Sequence, residues 1–240
     1  MGFTVPATTL VSAAGADAVS NMAADTGVLI RDGRHVIAEG TNGRAIFRGQ
    51  EGQVTMNADA SGIDPVAIDL DGRQSVVIGE SGIVHSGGFN LAIVSDDPAG
   101  DSRVLDDGTA AACVSDGIRL DGRDGIVTSA GEIPAASAGM SVRGGTGSLS
   151  NTGTVTASEE MVLLNVGASS ESTMSNAGTI HASATGMIVS GAARAEILNA
   201  AEVFAGGIAA CGFNGSRDRL TVRVVDTGLL SGGLTGSSLQ

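Results

Sequence analysis

The ten residues Leu149–Ser158, Leu-Ser-Asn-Thr-Gly-Thr-Val-Thr-Ala-Ser, return almost unchanged at Met174–Ser183 as Met-Ser-Asn-Ala-Gly-Thr-Ile-His-Ala-Ser, and in weaker form at Ile197–Gly206. A segment that recurs at a near-constant interval is one structural unit, and a unit this short cannot bury its apolar side alone, so it must stack on its neighbours. The shared pattern is an apolar residue, an Asn, a Gly or Ala two positions later, and then a β-branched residue. It reads as a short strand bounded by turn chemistry.

A second segment interleaves with the first. Its central apolar position falls at Ile46, Ile68, Ile93, Ile118, Met140, Val162, Met187 and Ile208, at intervals of 21–25 residues. The first segment places its β-branched or small residue at Val54, Val84, Ala110, Ile133, Val155, Ile180, Val203 and Leu230. Its glycine recurs as Gly52, Gly82, Gly108, Gly131, Gly153, Gly178 and Gly228, with Ala201 as the exception. A leucine-rich repeat of similar length needs a dense Leu consensus, and a propeller blade needs about 40 residues. Two ladders on one period instead predict an all-β, single-stranded parallel β-helix of about eight to nine coils, each of 21–25 residues. The crossover rule makes it right-handed. At about 4.8 Å per rung, the rod would be roughly 40 Å long.

Composition supports short strands and tight turns. The chain has 37 Gly in 240 residues, five Phe and no Trp or Tyr, so its core must be aliphatic. With 13 basic residues, all Arg, against 26 acidic ones, the net charge is −13, which excludes nucleic acid as a partner by repulsion. No apolar run reaches the ~18 residues of a spanning helix, and the aromatic girdles of a membrane barrel are lacking, so membrane insertion is not expected.

Residues 1–32 match the repeat poorly and are expected to cap the rod, 33–232 to form the solenoid, and the Gly/Ser-rich 233–240 to be a tail or linker. Met1–Pro6 has neither the basic nor the apolar segment of a conventional secretory signal peptide.

The Asn-x-Gly-x-Val/Ile units Asn151–Val155 and Asn176–Ile180, on their stacked period, resemble the β-helical passenger regions of bacterial autotransporters and other large exported adhesins. The resemblance covers roughly residues 33–232. It implies an extracellular or surface-displayed bacterial protein with a structural, adhesive or spacer role and a cell-surface or polysaccharide ligand. The leading expectation is therefore a non-enzymatic rigid module.

Two rivals share the scaffold. Three positions after the central residue of the second segment lie Asp71, Asp96 and Asp121 on consecutive coils, a carboxylate column that would suit Ca²⁺, the one candidate cofactor. The bland reading is that Asp-Gly pairs make turns, as in the Asp-Gly-Arg triplets at Asp32, Asp71 and Asp121. Proteins similar to pectate lyases use Asp and Arg on such a fold, and here Asp69, Asp71, Asp121 and Arg119 could form that set. The missing Trp and Tyr weigh against a sugar-cleaving groove. His85 and His181 fall four coils apart, about 19 Å, too far to share a metal or a proton. Cys113 and Cys211 are separated by a similar number of coils and are expected as free thiols. Asn151, Asn176 and Asn199 are expected to stack as an amide ladder beside Gly153 and Gly178, with roughly 1 kcal/mol lost on an Asn→Ala change.

Overall fold

A computed structural model describes residues 3–4, 10–14, 19–21, 26–30, 35–39, 46–49, 52–56, 59–62, 68–71, 74–78, 83–86, 93–95, 101–158, 160–166, 171–190, 194–213 and 221–236. Every regular element among them is a β-strand, and each strand pairs in parallel with its counterpart one coil away. The chain is an all-β parallel β-helix, as the repeat predicts.

Each coil carries three strands rather than the two read from the sequence. On the first face the in-register column is Val28, Val54, Val76, Val104, Val127, Leu149, Met174, Ile197 and Val224, of which Val54 to Ile197 are buried. On the second face Val36, Ala60 and Val84 lead to Ala110, and Ile133 leads through Val155, Ile180 and Val203 to Leu230. The two runs are joined where Thr109 pairs with Glu132 and Ala112 with Ala135. The third column is Val19, Ile46, Ile68, Ile93, Ile118, Met140, Val162, Met187, Ala210 and Leu234.

Several expectations are corrected by this register. Val54 and Gly52 belong to the first face, and Ala60 holds the place given to Val54. Ala210 pairs with Met187 where Ile208 was expected: Ile208 pairs with Thr185, and the offset between these two coils is the same at both pairs. The third column holds ten residues, so the coil count departs from eight to nine. This column includes Val19, and the last described strand is Leu229–Gly236. About five of these turns, over 101–236, are described nearly throughout.

Alternation explains the core. Along Ile118–Ser129, buried residues alternate with half-buried or exposed ones, as the two-residue period of a strand requires. The strand runs around a corner at Gly122–Arg123, so its first half lies on the third face and its second half on the first face of the next coil. Ile118, Leu120 and Val127 point in and meet Met140, Val142 and Leu149 of the following coil. Each buried aliphatic side chain of this kind contributes on the order of 2 kcal/mol through burial.

The corners are where rung spacing bites on sequence. At the corner between the first and second faces, a Cβ on Gly153 would stand 2.0 Å from the Gly131 carbonyl oxygen of the preceding coil, and one on Gly178 would stand 2.1 Å from that of Gly153. The same column holds Ala201. There the rung opens: the Glu202 N–H reaches the Gly178 oxygen over 3.3 Å, whereas the equivalent bonds from Thr154, Thr179 and Leu229 are 2.9, 2.9 and 2.8 Å. We read the extra length as room for the alanine methyl.

Candidate functional site

The first face ends on an inward position that changes character along the rod. It is Ile78 on one coil and then Asp106, Ser129, Asn151, Asn176, Asn199 and Asp226 on the coils that follow. Ile78, Asp106 and Ser129 are fully buried, and the three Asn residues are at most 2% exposed. A buried amide needs partners, and here the coil above supplies them. Asn151 Nδ2 donates to Asn176 Oδ1 at 2.9 Å, Asn176 Nδ2 to Asn199 Oδ1 at 2.8 Å, and Asn199 Nδ2 to Asp226 Oδ1 at 2.8 Å. The same side chains hold the corner. The N–H groups of Gly153 and Gly178 donate to Asn151 Oδ1 and Asn176 Oδ1 at 3.2 and 3.3 Å, the local turn that Asn and Asp make with the residue two positions on.

Asp106 occupies this column as a carboxyl. Ser129 Oγ donates to its Oδ2 at 3.0 Å and the Gly108 N–H to its Oδ1 at 3.2 Å. Burial pushes its pKa up to about 6; those two hydrogen bonds pull the other way but do not offset the loss of water.

On the outside of the third face lies a mixed charge cluster. Arg119 grips Asp121 Oδ2 through Nε at 2.7 Å and Nη2 at 2.6 Å, while the other oxygen of Asp121 is buried and accepts no hydrogen bond. Asp116 is almost buried, accepts the Ala138 N–H at 3.0 Å, and lies 3.6 Å from Arg143 Nη2. Arg143 Nε also reaches Ser141 Oγ at 3.1 Å. The register neighbour of Asp121 on the next coil is Arg143, so carboxylates do not continue in that direction.

Of the expected cation column, Asp96 lies outside the described residues, and so does the side chain of Asp71, whose backbone pairs with Gly49. Among the described residues no group of three His, Cys, Asp or Glu side chains is placed to hold a metal. Asp69 and Arg119 share a column but are separated by the intervening coil at Val94. With Arg119 already supplying the positive charge beside Asp121, adding Ca²⁺ or a chelator should leave the thermal midpoint unchanged. A ligand held only by the folded chain must raise it, so a calcium-dependent rise would support the cation column.

The outer side of the second face carries a different feature. Thr156, His181, Phe204 and Ser231 follow one another in register. The His181 and Phe204 rings stack with centroids 5.1 Å apart and planes 7° from parallel. Beside them run Ala157, Ala182 and Ala205, small residues that leave a shallow groove of about 340 Å³, bounded also by Ser183 and Gly206. Its lining presents an aromatic pair and hydroxyls but no carboxylate or guanidinium. That equipment suits stacking and hydrogen-bonding contact with a ligand. The groove is not legible from the histidines alone, because the partner of His181 is a phenylalanine. Both rings fall five residues after an Asn of the repeat, Asn176 and Asn199, and that shared offset is the signal that places them on adjacent rungs.

Cys113 is exposed at the surface; the side chain of Cys211, whose backbone pairs with Ile188, lies outside the described residues. No family model, curated protein or solved structure matches the chain.

Proposed function

We propose that this β-solenoid is a non-enzymatic rigid module, displayed outside a bacterial cell in the manner of the autotransporter passengers it resembles, which holds a binding surface at a fixed distance. The observation that supports this reading most is the parallel register of three ladders through the described residues of 101–213, which stacks aliphatic columns from coil to coil and shifts where Glu202–Phe213 meets Leu229–Gly236. A chain whose coils touch only their neighbours is stiff along its axis and has a length set by coil number. The His181–Phe204 groove is the surface we assign to a cell-surface or polysaccharide ligand.

The test is to remove length without disturbing register. Met140, Val162 and Met187 are stacked equivalents, so deleting residues 140–186 takes out two coils and joins matching edges. Solution scattering should show a rod shortened by about 10 Å with an unchanged cross-section. A changed cross-section would end the rod reading. Release of unsaturated sugars from acidic polysaccharides by the intact chain would replace the scaffold with its rival, a lyase-like enzyme.

A further inference from the structure

The polar column begins at an abrupt boundary. Ile78 on one coil and Asp106 on the next are register partners, and both side chains are fully buried. Among the described residues, relief for the buried carboxyl comes through the Ser129 hydroxyl at 3.0 Å and the Gly108 N–H at 3.2 Å. The other inward side chains of the same coil, Ala110, Ala112, Ile118 and Leu120, are uncharged. The charged group acting on Asp106 is its exposed neighbour Asp107, which has the same sign.

We propose that the Asp106 coil is an acid-strengthened joint in the rod, packed most firmly when its buried carboxyl holds a proton and loosened when that proton is lost. Ser129 lets both states fit. Its hydroxyl donates to the carboxylate, and by turning it can accept the proton of the carboxylic acid across the same gap. Proton uptake therefore needs no rearrangement of the backbone, only a reversal of one hydrogen bond.

The direction follows from linkage. The ordinary carboxyl value is 3.8 and the folded value is about 6, so the folded state binds the proton more tightly. The stabilisation is fully present below pH 3.8 and is lost as pH rises through about 6. The other acidic residues also respond to pH, so the informative quantity is the ratio of the folding equilibrium constants of parent and Asp106→Asn, measured by urea unfolding. Between pH 7.5 and 4.5 that ratio should move about tenfold or more in favour of the parent. A direct measurement does not depend on the variant: the carboxyl carbon of Asp106 in the unaltered chain, followed by NMR, should titrate near 6. A ratio that stays constant with pH, or a midpoint in the usual carboxylate range near 3.8, would overturn the proposal.

Discussion

Replacing Gly144 by Ala should destabilise the fold by at least about 3 kcal/mol, a substantial part of the 5–15 kcal/mol that holds a typical domain together. Two independent costs fall on this position. Its φ is +128°, a conformation that side-chain-bearing residues rarely adopt. Its Cβ would also stand 1.9 Å from the Gly122 carbonyl oxygen of the preceding coil. The obstacle is backbone rather than a yielding side chain, so relief would require two coils to part and the strand Met140–Asn151 to lose register at its corner. Urea unfolding of parent and variant measures the difference. A loss below about 1 kcal/mol would mean that the coils do not meet there as described.

The second large effect is expected at Asn176→Ala, in the middle of the amide ladder. The sequence alone suggested about 1 kcal/mol, the net worth of a single hydrogen bond. Asn176 makes more than one: its Nδ2 reaches Asn199 Oδ1 and, at 3.3 Å, the Glu202 carbonyl, while its Oδ1 accepts from Asn151 and from the Gly178 N–H. Truncation removes all of these and leaves the Asn199 oxygen and the Gly178 N–H short of buried partners. Stranded groups cost more than lost bonds, so we expect about 2–4 kcal/mol. Equilibrium unfolding supplies the total, and amide exchange at Gly178 should quicken more than at Gly131, two coils away. Equal exchange at the two glycines would contradict a ladder that stabilises its own corner.

Much of this architecture is written in residues that stand out from their surroundings. Ile46, Ile68, Ile93, Ile118, Met140, Val162 and Met187 lie in the register that their spacing implies, because each is a large apolar residue flanked by turn formers. The first face was concealed for a physical reason. Its corner with the second face takes only two residues, such as Thr152 and Gly153, so Leu149–Ser158 looks like one strand when it is the end of one and the whole of the next. Ala60 and Ala210 hold places that the larger Val54 and Ile208 suggest in the sequence, since a small residue carries little apolar signal. Asp106 was hidden by the pair Asp106-Asp107 before Gly108, which reads as an exposed turn. Its offset from Gly108 is the offset of Asn151 from Gly153, and that spacing is the mark of the inner column. The role of Arg119 depended on geometry: it reaches Asp121 on its own strand, two residues along, where outward side chains lie on one side of the sheet.

Because inward and outward positions alternate, the two sides of each strand answer to different demands. Beneath the second face, Val155, Ile180, Val203 and Leu230 form an almost uniform aliphatic file; above it, Thr156, His181, Phe204 and Ser231 bring hydroxyl, imidazole and phenyl groups into one column. The interior thus acts as a fixed grammar and the exterior as open vocabulary: recognition could be rewritten one residue at a time without altering what makes the chain wind.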